Sequence, residues 1–123
     1  MPKRVLCVGQ CAPDHAAIRR LVEGHFEAKV TQAHHLQDTL THLRDGEFHL
    51  VLINRKLDRD YSDGAEILKA ITADPELSDV PVMLITNYPD HQEIAIAAGG
   101  VRGFGKNGLH LDETRALLAD HLE

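Results

Sequence analysis

The sequence predicts an α/β protein with a doubly wound parallel sheet, and three observations carry the prediction. Leu50-Val51-Leu52-Ile53 is an unbroken apolar run that ends in the polar Asn54, and Val80-Pro81-Val82-Met83-Leu84-Ile85 likewise ends in Thr86. Runs of this kind mark parallel strands buried on both faces. Between the runs lie segments whose apolar residues recur at helical spacing, so the chain alternates strand and helix five times.

Each element has its own signature. Arg4-Val5-Leu6-Cys7-Val8 is the first strand and runs into Gly9-Gln10. Ile18, Leu21, Val22 and Phe26 form the stripe of a first helix, with Asp14 placed to cap it. Ala28 to Ala33 is a second strand that rests on Val30 and Thr31. Leu36, Leu40 and Leu43 line a second helix, and His49 to Asn54 is the third strand. Asp63-Gly64 opens a third helix carrying Ile67, Leu68 and Ile71, which stops before Asp74-Pro75. After the fourth strand, Pro89 opens a short fourth helix that Gly99-Gly100 closes. Val101-Arg102-Gly103-Phe104-Gly105 is a glycine-rich fifth strand ending at Lys106, and Asp112 starts a last helix with Leu118 and Leu122 facing inward.

In a doubly wound sheet the carboxyl ends of the strands meet at one crevice, which makes neighbours of Gln10, Asn54, Thr86 and Lys106. That constellation resembles the receiver domain of bacterial two-component response regulators, over essentially the whole chain. The resemblance implies a flavodoxin-like fold of five strands in the order 2-1-3-4-5. In that family the first strand ends in an acidic pair that holds Mg²⁺, the third in the phospho-accepting Asp, the fourth in Thr or Ser, and a Lys followed by Pro comes after the fifth. Thr86 and Lys106 match, whereas Gly9, Gln10 and Asn54 depart and Asn107 replaces the proline. Lys56 stands where the family's backbone carbonyl meets the metal.

The resemblance therefore implies a degenerate receiver with a vestigial pocket of Gly9, Gln10, Asn54, Lys56, Thr86 and Lys106, with no catalytic residue, metal or cofactor. Family receivers couple the Thr to an aromatic three residues before the Lys. Here Phe104 stands two before it, and Tyr88 is the other aromatic able to fill the space. The expected partner is a protein: a histidine kinase, another regulator or an effector. A homodimer through the last helix-strand-helix face is also open. The alternative is a flavodoxin-like sensor that binds a small anion in a crevice emptied of carboxylates; in a closed version of the pocket, Lys106 would bond the Asn54 side-chain oxygen.

With 123 residues the chain is expected to be a single domain, 1-123, without an output domain. No apolar export segment or membrane-spanning run is visible, so a cytoplasmic location is expected. The formal charge of −6, with basic residues scattered among acids, argues against nucleic acid as a partner, as do two Tyr, three Phe and no Trp, which make no stacking platform. Two cysteines, Cys7 and Cys11, make no disulfide framework.

Three motif-like strings compete with this reading. Gly100 to Asn107 spells a phosphate-binding loop, but Asn107 replaces the Ser or Thr that would ligate Mg²⁺, and a helix rather than a strand precedes it. Asp58 to Gly64 has alternating oxygen ligands like an EF-hand, yet its glycine falls one position late and Lys69 stands at the closing Glu position. Cys7, Cys11 and His15 have ligand-like spacing but arise from a strand, a loop and a helix start, so they read as ordinary structural residues.

Overall fold

The computed structural model describes residues 2–123; Met1, the first residue of the expected domain, lies outside the described residues. In chain order the elements are β1 (Lys3–Val8), α1 (Ala12–His25), β2 (Ala28–Ala33), α2 (Leu36–Asp45), β3 (Leu50–Asn54), α3 (Gly64–Ala73), β4 (Val82–Ile85), α4 (Pro89–Ala97) and α5 (Asp112–Leu122). A single 3-10 turn at Lys106–Gly108 precedes α5. The strands form a parallel sheet in the order β2-β1-β3-β4.

Strand alternation sorts the core onto both faces. Leu6, Val8, Val51, Ile53 and Leu84 point to one side and pack with α2, α3 and α4 through Leu43, Ile67, Leu68, Ile71 and Ala95. Val5, Cys7, Leu50, Leu52, Met83 and Ile85 point to the other and meet α1 and α5 through Ile18, Val22, Leu118 and Leu122. Each such fully buried aliphatic side chain is worth about 2 kcal/mol relative to exposure. Burial also pushes the Cys7 thiol up to about 12, against the pull of the Lys106 charge, so Cys7 behaves as a core hydrophobe.

Helix ends follow local chemistry, with one correction. Asp63 caps α3 by accepting from the Ala65 N–H at 2.9 Å. His35 and Asp38 cap α2 reciprocally, the His34 and His35 N–H groups donating to the Asp38 carboxylate at 2.8 and 2.9 Å. Pro89 opens α4, and Gly99, at φ +100°, follows its end. Asp14 does not cap α1: the helix begins two residues earlier, with Cys11 at the cap position, which leaves Asp14 in the first turn.

The fifth strand departs from expectation. Residues 101–105 lie beside β4, joined by a parallel bridge between Val101 and Met83, by Val101 N–H to Val82 O at 2.9 Å and, at the far end, by Thr86 N–H to Phe104 O at 3.1 Å. Between these contacts the ladder is interrupted because the Gln92 side chain enters it. Gln92 Nε2 donates to Leu84 O at 3.0 Å, and its Oε1 accepts from Gly103 N–H at 2.8 Å. One amide side chain thus stands between two backbones where a direct peptide bond-to-bond contact would otherwise run. Gly103 fits this seam because a Cβ there would lie 2.5 Å from Leu84 O.

Candidate functional site

The order β2-β1-β3 puts the reversal of winding between β1 and β3, so a crevice opens beyond Val8 and Asn54. Gly9 turns the chain there at φ +77°, a conformation that L side chains rarely adopt. A Cβ on Gly9 would also lie 2.3 Å from Leu57 Cδ2. The turn aims Gly9 O at the end of β3, where it accepts from Asp58 N–H at 3.0 Å and from Asn54 Nδ2 at 3.3 Å.

Asn54 Nδ2 makes its shorter bond to Lys56 O, at 2.7 Å. Both groups facing this nitrogen are carbonyl oxygens, which only a donor can satisfy. The following loop folds back on itself: Leu57 N–H bonds Ser62 O at 2.9 Å and Gly64 N–H bonds Arg55 O at 2.7 Å. Gly64 allows α3 to start against the strand, since a Cβ there would lie 2.0 Å from Asn54 O. Within the loop, Asp60 Oδ1 accepts from both the N–H and the hydroxyl of Ser62 at 2.9 and 2.7 Å, which closes the EF-hand-like string as a turn.

Lys106 comes from the turn after the fifth segment, and its Nζ donates to Asp14 Oδ2 at 2.7 Å. It is not bonded to Asn54, as the closed version of the pocket requires, and the neighbourhood has kept one carboxylate. The hydrogen bond from Lys106 holds the Asp14 carboxyl below its ordinary value, burial working in the opposite direction and the Cys11 side chain adding a smaller downward pull.

Thr86 is buried at the end of β4, and its Oγ1 accepts from Tyr88 N–H at 3.3 Å and shares a hydrogen bond with His91 Nδ1 at 3.2 Å. A crevice of about 260 Å³ is lined by Asn54, Arg55, Lys56, Ile85, Thr86, Asn87, Tyr88 and Lys106. The sequence-derived set is thus mostly brought together: Asn54, Lys56, Thr86 and Lys106 line the crevice, and Gly9 supplies its carbonyl to Asn54. Gln10 does not line it. Its side chain is buried, and neither amide atom has a hydrogen-bond partner among the described residues.

The two aromatics take other places. Phe104 is buried in the core with the α1 and α5 residues and does not line the crevice. Tyr88 does not fill an interior space: it is 64% exposed, with its ring edge-on to His91 at 5.2 Å. Position 103, three before Lys106, is glycine, and the side chain packed against it is Gln92.

Four participants were not singled out from the sequence: Arg55, Asn87, His91 and Gln92. Asn87 Oδ1 accepts from Asn107 N–H at 3.0 Å, and Gly105 leaves room for it. A signal existed for Gln92. It stands at a core position of α4, one turn before Ala95, where an aliphatic residue is expected.

Among the described residues no helix is long and apolar enough to cross a membrane. No family model matches the chain, and no curated protein matches it. Solved structures do match. A Chloroflexus aurantiacus protein described as a response regulator superposes with a TM-score of 0.84 at 15% identity, covering 99% of this chain and 98% of that one. The Vibrio cholerae chemotaxis protein CheY4 gives 0.77 at 14% identity, covering all of both chains (100% and 100%). The signal receiver domain of an HD domain-containing protein from Pseudomonas fluorescens gives 0.73 at 21% identity, covering 96% of this chain and 83% of that one. The chain has the flavodoxin-like receiver fold.

Proposed function

We propose that this chain is a pseudo-receiver, a signalling domain that acts through protein contacts and is not phosphorylated at Asn54. The observation that carries the reading is the Asn54 amide, whose nitrogen is bonded to Lys56 O at 2.7 Å and faces Gly9 O at 3.3 Å. Phosphoryl transfer to a side chain needs a nucleophilic oxygen and a divalent cation to neutralise the phosphoryl group. Asn54 offers no anionic oxygen.

The residues present do not fit Mg²⁺. That ion takes six oxygen ligands in near-ideal octahedral geometry, with carboxylates among them. Gly9 and Gln10 supply none, and the nearby Asp14 is bonded to Lys106. In the family that the chain resembles, the carbonyl at the position of Lys56 meets the metal. Here an amide N–H occupies that carbonyl, so a hydrogen takes the place of the cation. The φ of +77° at Gly9 opposes any simple return of an acid to that position.

Protein contact is supported by α4. It buries only Gln92 and Ala95, while Ile94 and Ile96 are exposed, and Tyr88 and Leu111 are exposed beside it. An apolar surface of this kind favours an interface. A histidine kinase, another regulator or an effector is the proposed class of partner, and a second copy of the chain is its simplest member.

Incubation with acetyl phosphate and Mg²⁺, followed by intact mass measurement, tests the reading. The mass is expected to stay unchanged; a phosphoryl adduct of acyl-phosphate lability, lost in both acid and base and mapping to this crevice, overturns it. Light scattering over a concentration series tests the self-association arm, with Ile94→Asp expected to abolish any dimer.

A further inference from the structure

Every side chain lining the crevice at the ends of β3 and β4 that is charged at neutral pH is a cation: Arg55, Lys56 and Lys106. Among the described residues neither Arg55 nor Lys56 lies within salt-bridge distance of a carboxylate. Asp63, the acid lining the adjacent groove with Arg55, uses one oxygen to cap α3. Lys56 Nζ lies over the Tyr61 ring, 5.6 Å from its centroid, a cation–π contact and not an ion pair. Asp14 holds Lys106 from outside the lining, so this ammonium is fixed in place and keeps N–H groups for a further acceptor.

We propose that this crevice binds a small ligand non-covalently through a phosphate or carboxylate group, with Arg55 and Lys56 supplying the charge and Lys106 a positioned donor. The proposal rests on the reading that Asn54 is not phosphorylated, since a covalent phosphoryl group would fill the same space. Guanidinium and ammonium groups converging on one small volume recognise oxyanions through charge-assisted hydrogen bonds, and the Arg fork adds bidentate geometry. The Asn54 nitrogen is spent on two carbonyls, which leaves recognition to the cations and to the polar groups of Thr86 and Asn87. A volume of about 260 Å³ suits a small metabolite rather than a large cofactor.

Chemical-shift titration of the isotope-labelled chain with inorganic phosphate, sulfate and acetate, at matched ionic strength, tests the proposal, with MgCl₂ as the cation control. Saturable changes at Lys56, Thr86 and Asn87 with at least one of the oxyanions are expected, and none with Mg²⁺. Phosphate and sulfate set against acetate separate the phosphate-like from the carboxylate-like ligand. The double variant Arg55→Ala with Lys56→Ala alters exposed residues only, so its melting temperature should stay unchanged while affinity falls about tenfold or more. No saturable response to any oxyanion, an equal response in the double variant, or a Mg²⁺ response alone overturns the proposal. Intact mass after acetyl phosphate separates the two readings, because a covalent adduct removes the pseudo-receiver reading, whereas an unchanged mass with silent titrations removes only the anion site.

Discussion

Lys106 Nζ lies 2.7 Å from Asp14 Oδ2, an ion pair between residues 92 positions apart that ties the first turn of α1 to the turn before α5. The pair joins two elements on the same side of the sheet at the rim of the crevice. A lysine held this way has a fixed direction without any acid at the ends of β1 or β3. In the family arrangement that the chain resembles, the lysine answers to carboxylates inside the crevice. Here one carboxylate on the helix serves, and the ends of β1 and β3 carry no acid.

The pair should show itself in acid. The folded Asp14 carboxyl titrates below its ordinary 3.8, chiefly through the hydrogen bond from Lys106. A depressed carboxylate contributes stability that is present above the unfolded value and is lost as pH falls through the folded one. Asp14→Asn should therefore cost a small amount near neutral pH, about 0.2–1 kcal/mol for a half-exposed pair, and nothing once the pH is well below 3.8. Urea unfolding across pH 2 to 7, on the order of one titration per pH unit, checks this. A cost that persists unchanged at the acid end would assign the loss to packing instead.

Asn54→Asp should destabilise the fold instead of restoring a receiver. Its carboxylate would face Lys56 O and Gly9 O at the places where the amide now donates at 2.7 and 3.3 Å. Acceptors facing acceptors raise the folded-state value of the new acid, against the opposing pull of the crevice cations Arg55, Lys56 and Lys106. The penalty is then absent at low pH and appears as pH rises through the unfolded value, reaching about 1–3 kcal/mol. Denaturation of the variant at acid and neutral pH measures it. Equal stability at neutral pH would mean that the loop has opened to admit water or a cation.

How far the sequence could be read depended on the range of the forces involved. Strand runs, helix stripes, the Asp63 cap and Pro89 are local signals, and they placed nearly every element. Of Gln10, Asn54, Thr86 and Lys106, which read as neighbours because strand ends in this topology converge, the last three line the crevice, and Gln10 does not. Asp14 was placed in its helix but given the wrong role, since its partner lies at the other end of the chain and the helix starts earlier than a capping aspartate implies. Gln92 carried a signal, a polar residue at a core position of α4, but its role could not be read from it. Its contribution is a bridge between two backbones, and backbone groups leave no trace in residue type.

Gln92→Leu tests that bridge. The substitution keeps bulk in a buried position but removes the donor to Leu84 O and the acceptor of Gly103 N–H. Three backbone groups, Leu84 O, Thr86 O and Gly103 N–H, then lose a partner, at a cost of about 2–4 kcal/mol. Hydrogen exchange at the Gly103 amide should accelerate with the loss, while the amides of β1 and β3 change only with global stability. Unchanged exchange at Gly103 would show that residues 101–105 had moved to pair directly with β4 and formed the regular fifth strand.

Gln10→Met runs in the opposite direction. Gln10 is 2% exposed, and both polar atoms of its amide are buried without a partner among the described residues. Burial of unpaired polar atoms costs free energy that an apolar side chain of similar length avoids, because methionine keeps the shape and has little to desolvate. The variant should be more stable by about 1 kcal/mol, read as a higher denaturant midpoint with an unchanged slope. Because Gln10 does not line the crevice, the phosphate titration of the variant should match that of the parent chain. A destabilised variant whose phosphate response is also lost would place the Gln10 amide in contact with the crevice, as a residue of the binding site.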